Sequence, residues 1–337
     1  MTEVSERVLV LNNNDELDEF FIESFINEGL SKTARTYRAK DGVALKLFVL
    51  EEANSDFEFR YNKFKNEVEL LKKLEPSDHV VNVLTELRGE GVHNGIKKIA
   101  HYYAMEHMDG DLESLILNKD FSIEQKLAFV RQILTGVIDF HNEGIGHRDL
   151  YTPNVLFKEI EGEYTFKIAD FGSAKEQGSQ QQVAYFFPTG ILKYSSPESL
   201  AGLLGGDDVD IEILKVSDIY SFGLIMYELL TSERQEVLNS TLASIMTLAR
   251  DAGVYGTGKT QQERVTFLET QAVPHIKLAT IKDISSSAIL ASEEVAAELT
   301  TLFRQLIEPD YHHRMTDLKL LDEKLKAIQL KVGGTNE

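Results

Sequence analysis

The chain has 337 residues, of which 42% are hydrophobic, a formal net charge of −20, and neither cysteine nor tryptophan. That length and apolar content suffice for a sizeable core in one large domain or a two-lobed unit. The acidic balance excludes a sequence-independent hold on nucleic acid or anionic lipid, and the missing cysteines exclude disulfides, thiolate metal sites and cysteine nucleophiles.

The first residues, MTEVSERVLVL, place acid before a short apolar run and carry no small-residue cleavage pattern. No stretch approaches about 18 apolar residues, so the expectation is a cytoplasmic chain that neither crosses nor binds a membrane. Residues 7–11 and 19–26 read as strands separated by the polar turn cluster NNNDELD. Residues 34–48 read as a hairpin, ARTYRA and VALKLF joined by Lys40, Asp41 and Gly42. A helical pattern follows in FKNEVELLKKL, with Phe64, Val68, Leu71 and Leu74 on one stripe, Glu67 one step off it, and Pro76 as terminator. Residues 78–87 and 97–105 read as two more strands joined by the turn-rich RGEGVHNG. Residues 123–142 form a long amphipathic helix, residues 217–230 a helix apolar on nearly all sides, and residues 317–332 a terminal amphipathic helix rich in Lys and Leu. Between them, residues 231–300 alternate helical stretches with polar loops. With no internal repeat, a sheet-rich first third precedes a helix-rich remainder.

The chemistry concentrates in residues 146–172, which open GHRDLYTPNVLF and close IADFG. Asp149 and Asn154 stand five residues apart, and Asp170 follows at the end of an apolar run. Carboxylate and amide oxygens in this pattern suit a hard cation such as Mg²⁺ with a nucleotide. This string, HRDLYTPN followed by DFG, resembles the catalytic and metal loops of the eukaryotic-like protein kinase family. The order of other matches agrees: VALK ending at Lys46, Glu67 on the next helix, SPE at 196–198, Asp218 opening the buried helix, and Arg314 as the late arginine that pairs with Glu198. The resemblance covers about residues 20–325.

The resemblance implies an α+β, two-lobed protein-kinase-like fold with ATP and Mg²⁺ between the lobes. Its small antiparallel-sheet N-lobe would span about 8–107 and its larger helical C-lobe about 108–330, with a C-lobe insertion at about 232–300. The implied activity is transfer of the γ-phosphoryl of ATP to a protein hydroxyl, Ser/Thr in preference to Tyr, with a basic protein as the charge-matched substrate. Lys46 would hold the phosphates and Glu67 orient it; Asp149 would accept the proton of the attacking hydroxyl; Asn154 and Asp170 would bind metal. His147 is assigned to packing and backbone support. Glu106 and Met108 would line the nucleotide edge, with Asp111 bonding ribose or capping the helix LESLIL. Gly29, Ser31 and Ala34 would form the phosphate-covering loop, where GLSKTAR keeps one glycine and substitutes small residues for the others.

Two departures stand out. Tyr151 occupies the place of the lysine that Ser/Thr kinases carry two residues after the catalytic aspartate, and Ile191 occupies that of the threonine it contacts. The usual activating phosphosite falls on Phe187; Ser179, Tyr185 and Thr189 are the nearby hydroxyls. Two other readings stay open: a non-catalytic ATP-binding module whose apolar segment VAYFFPTGIL packs internally or on a partner, and a small-molecule phosphotransferase of related fold. GVYGTGKT at 253–260 satisfies the P-loop pattern letter for letter, but a helical pattern precedes it where a strand is required, so it reads as a Gly-rich loop. His312 and His313 read as surface residues, and GGDDVDIE at 205–212 as a solvated loop.

Overall fold

Tight turns between short apolar runs give the first part of the chain its sheet. The computed structural model describes residues 9–28, 33–49, 54–179, 192–205 and 209–333. Two units emerge, Met1–Asp109 with Ala169–Gly172, and Gly110–Ile168 with Ser173–Glu337.

In the first unit β1 (Glu16–Leu17), β2 (Phe20–Glu28), β3 (Ala34–Ala39), β4 (Val43–Phe48), β5 (Arg88–His93) and β6 (Ile96–Glu106) pair antiparallel in the order β1-β2-β3-β4-β6-β5. The pairing of Leu17 with His93 closes the sheet on itself. The β3–β4 hairpin turns through Asp41 and Gly42, both at positive φ. The β5–β6 hairpin turns through Asn94 (φ 48°) and Gly95 (φ 81°), the residue pair that a two-residue loop matching the strand twist prefers. Alternation along β4 sends Leu45 and Leu47 into a core with Leu17, Ile22, Tyr37 and Tyr102. Phe48, two residues from Lys46 and on the same face, packs on Phe57 and Phe64 of α1 (Phe57–Lys73), with ring centroids 5.6 and 5.4 Å away.

Two expected strands are corrected. Residues 9–11, the described part of 7–11, form no strand; Leu11 instead packs into the core, its N–H 3.4 Å from the Tyr37 hydroxyl. Residues 78–87 form no strand either, apart from isolated bridge residues at Val80 and Val83, the latter opposite Met105. Side chains intercept the ladder there: Thr85 Oγ1 accepts the Ala104 N–H at 2.9 Å, and Glu106 Oε1 accepts the Asn82 N–H at 2.7 Å. The strand is instead β5, within the stretch read as a turn. Its Gly91 is required by packing, since a Cβ there would stand 2.8 Å from Leu17 Cδ1 and 2.9 Å from Asp18 Oδ2.

The second unit opens with β7 (Gly110–Asp111), α2 (Leu112–Asn118), α3 (Ile123–Asn142) and β8 (Ile145–Gly146). A hairpin of β9 (Val155–Ile160) and β10 (Glu163–Ile168) follows, then β11 (Lys175–Glu176), which pairs with β8. The remainder is α4 (Pro197–Leu200), α5 (Ile211–Thr231), α6 (Glu236–Asp251), α7 (Gln261–Phe267), α8 (Val273–Leu278), α9 (Ser286–Ile289), α10 (Glu293–Leu306) and α11 (Leu318–Gly333). Helix α3 begins in a capping box of Ser122 and Gln125, the sequence signal for its start. Helix α5 is buried on every side, as its composition predicts, and α10 lies so close that a Cβ on Gly223 would meet Leu306 Cβ at 2.8 Å. Among the described residues no helix is long and apolar enough to cross a membrane.

Candidate active site

Strand alternation and helical periodicity together build the first cluster. Lys46 on β4 lies on the α1 face of the sheet, and Glu67 on α1 sits one turn from Phe64, on the buried face of the helix. The Lys46 ammonium donates to both Glu67 oxygens, at 2.6 and 2.8 Å, and to Asp170 Oδ1 at 3.2 Å. The Glu67 side chain is buried, whereas that of Asp170 is 47% exposed, so one carboxylate fixes the lysine from within and the other reaches solvent. Burial opposes the charge on Lys46, but the carboxylates of Asp170 and Glu67 outweigh it and hold the ammonium well above its ordinary value. Burial pushes the Glu67 carboxyl up to about 7 against the pull of Lys46. Asp170 holds a left-handed backbone, φ 63°, which a non-glycine residue adopts at a cost.

The second cluster is organised by α5. A Cβ on Gly146 would lie 2.5 Å from Leu214 Cβ, so β8 presses directly against that helix and delivers the following loop beside Asp218. The buried Asp218 carboxylate accepts the backbone N–H groups of His147 and Arg148, each at 2.8 Å, and lies 3.2 Å from His141 Nε2. Arg148 has φ 68°, and these two bonds offset the strain of that turn. His147 is wholly buried, its Nδ1 3.3 Å from the Asp149 N–H, the packing and backbone role the sequence suggested. The Arg148 guanidinium donates to the Ser173 carbonyl at 3.1 Å; burial pulls it down to about 10, against the carboxylates of Asp218 and Asp149. Asn154 Nδ2 donates to the Asp149 carbonyl at 2.8 Å, which ties the two residues together and leaves the amide oxygen as the atom for a cation. Asn154 and Asp170 each carry an oxygen of the hard type that Mg²⁺ takes.

Around this loop lies a network the sequence reading did not find. Tyr151 is buried with its ring 6.0 Å from that of Tyr194. The Tyr194 hydroxyl donates to Glu228 Oε2 at 2.8 Å and lies 2.7 Å from Thr152 Oγ1. Burial, then the nearby Glu228, raises the Tyr194 phenol. Tyr151 therefore anchors the loop of residues 147–154 to the segment before SPE by ring packing. The available signal was Glu228, a carboxylate in the long apolar run of α5 after Asp218, since such a residue is rarely buried without a partner. Beside it, Glu113 is paired with Lys193 at 3.0 Å and with Arg234. Arg314 meets Glu198 through two bonds, 2.6 and 3.1 Å, with both side chains fully buried.

The remaining sequence candidates divide. Asp111 caps α2, its Oδ1 accepting the Ser114 N–H at 2.8 Å. Glu106 ends β6 with its carboxylate on the Asn82 N–H, and Met108 is buried. Ala34 opens β3, opposite Phe48. Gly29, Ser31, Tyr185, Phe187, Thr189 and Ile191 lie outside the described residues, as do residues 206–208 of the acidic stretch; Asp210 from that stretch caps α5. Ser179 donates to the Glu176 carbonyl at 2.9 Å. His312 and His313 are exposed. The P-loop pattern at 253–260 follows helix α6, and the carbonyls of Val254, Gly256 and Lys259 all accept from Arg264, at 3.2, 2.9 and 2.6 Å. Carbonyls converging on a cation are the inverse of amides converging on a phosphate.

Comparison with known proteins agrees with this geometry. The family model described as protein kinase domain matches residues 27–325. The chain is 33% identical over 196 residues to Cyclin-dependent kinase 11.1 of Caenorhabditis elegans, a match covering 55% of this chain and 25% of that protein. It is 32% identical over 223 residues to Serine/threonine-protein kinase A of Synechocystis sp., covering 61% and 39%, and 31% identical over 244 residues to Cyclin-dependent kinase 11B of Rattus norvegicus, covering 70% and 51%. These matches span from a quarter to about half of the relatives' own length.

Proposed function

Because this chain belongs to the protein kinase domain family, we propose that it transfers the γ-phosphoryl group of ATP, with Mg²⁺, to a serine or threonine hydroxyl of a protein. The observation that carries this reading is the Lys46 ammonium held by both oxygens of Glu67 and by Asp170 Oδ1. ATP supplies the phosphoryl group, and Mg²⁺ neutralises its charge. Lys46, fixed in direction by Glu67, binds phosphate oxygens; Asp170 and Asn154 offer oxygens to the metal. Asp149 orients the acceptor hydroxyl and takes its proton. Support for Ser/Thr acceptors comes from the Synechocystis relative, which is named a serine/threonine-protein kinase.

The test follows label from γ-labelled ATP and Mg²⁺ into the chain itself, a basic protein and small hydroxyl acceptors, for wild type and Asp149→Asn. Label on protein Ser or Thr that falls by ~10²–10⁴-fold in the variant is the expected result. Transfer unaffected by the substitution would sink the mechanism. Label only in small acceptors would make the chain a small-molecule phosphotransferase, and nucleotide binding without transfer would make it an ATP-binding interaction module.

A further inference from the structure

The helix-rich insertion carries a cavity that the phosphoryl-transfer chemistry does not use. It measures about 550 Å³, within the range of pockets that hold a drug-sized molecule or a few side chains. Val265, Leu268, Val273 and Leu278 form its apolar wall, with the Tyr311 ring opposite in the lining. Its shape follows from one residue. Pro274 has no N–H to give to the carbonyl four residues earlier, and the helix widens just before it: residues Leu268–Ala272 form a π turn in which the Val273 N–H reaches the Leu268 carbonyl. Leu278, the last residue of α8, is left 86% exposed at this cavity, so the apolar wall continues into solvent.

Charge decides what would enter. The lining contains Glu269, Asp310 and Lys277. Lys277 is already 4.0 Å from Glu308 Oε1, so its charge is partly spent. Glu269 is exposed, and Asp310 accepts the His312 N–H at 3.1 Å and stands 3.0 Å from His313 Nδ1. Burial, and then the carboxylates of Glu198, Asp310, Glu269 and Asp210, raise the Tyr311 phenol. An apolar wall beside the carboxylates of Glu269 and Asp310, on a chain of net charge −20, matches a ligand that is apolar and cationic together.

We propose that this groove docks a segment of a partner protein bearing a bulky apolar anchor next to Lys or Arg. The anchor would sit against Leu268, Val273 and Leu278, with the basic neighbour facing Glu269 and Asp310. Val265, Glu269 and Leu278 are not in the catalytic set, so docking and phosphoryl transfer are separable.

The probe is a fluorescein-labelled synthetic peptide with a Leu-Phe anchor between Arg residues, titrated with the full chain and read by anisotropy. Two control peptides replace Leu and Phe by Ser, or Arg by Glu. Leu278→Ser and Glu269→Lys alter exposed side chains, and thermal melts verify that both variants fold. Saturable binding by wild type is expected, weakened about tenfold or more by either control peptide and by either substitution. This readout is independent of phosphoryl transfer, so failure of the proposed enzymatic reaction would leave it intact. Equal binding of the Ser control would reduce the effect to general attraction for an acidic chain and overturn the proposal, as would equal binding by both variants. A wild-type dimer in sedimentation that Leu278→Ser makes monomeric would assign the groove to a second copy instead.

Discussion

Asp218 holds Arg148 by its backbone: the carboxylate accepts the Arg148 N–H at 2.8 Å while that residue sits at φ 68°. Asp218→Ala strands two buried N–H donors, each worth about 1–3 kcal/mol, and frees the strained turn beside Asp149. Urea unfolding should register a loss of roughly 3 kcal/mol, with label transfer from ATP down at least about tenfold. Asp218→Asn keeps one acceptor oxygen and should lose about half as much stability. A wild-type midpoint for the Ala variant would mean that the loop keeps its left-handed turn without Asp218.

The Arg314–Glu198 pair is completely buried, and Arg314 also donates to the carbonyls of Val216 and Glu308, both at 2.9 Å. Arg314→Met leaves Glu198 charged and unaccompanied, a loss of about 3–5 kcal/mol. Adding Glu198→Leu should restore part of it. If the double variant is no better than the single, the loss lies in the two carbonyl bonds rather than in the unpaired charge.

Acid sensitivity should appear at Asp15. Burial raises its carboxyl, but the Asn12 N–H, the Asn94 amide and His93 outweigh this and bring it from 3.8 to about 2. Because the folded value lies below the unfolded one, the stabilisation is complete above about pH 4 and disappears as pH falls through about 2. Thermal melts should therefore show Asp15→Asn less stable than wild type at neutral pH, with the gap closing toward pH 2. A gap constant over that range would remove Asp15 as its source.

Two lysines give opposite expectations. Lys259 bonds Glu263 Oε1 at 3.0 Å on the surface, whereas Lys46 is enclosed by carboxylates. Lys259→Ala should leave the thermal shift produced by ATP with Mg²⁺ unchanged. Lys46→Ala should abolish label transfer. Loss of that shift in Lys259→Ala would reinstate 253–260 as a nucleotide loop.

Much of this was readable in advance wherever one physical rule acted alone. The β3–β4 hairpin, α3 and the largely apolar α5 follow from turn residues and periodicity, whereas the Lys46–Glu67 pair was implied by the family resemblance, since periodicity alone put Glu67 one step off the apolar stripe. The reading failed where side chains replaced backbone. Thr85 and Glu106 take over bonds that would have made 78–87 a strand, while 88–93, despite its glycines, becomes one because β1 leaves room only for Gly91. At the site, the roles of Tyr194 and Glu228 depend on residues 34 apart in sequence, which no local pattern reveals.

From Val216 to Thr231 every residue of α5 is buried, so that stretch has no side on which a substitution is cheap. In a complete scan of single substitutions, tolerance along α10, whose buried positions recur at three- and four-residue steps, should rise and fall with the turn of the helix. Along Val216–Thr231 of α5 the same scan should return a flat line of intolerance, making that stretch poorly able to drift.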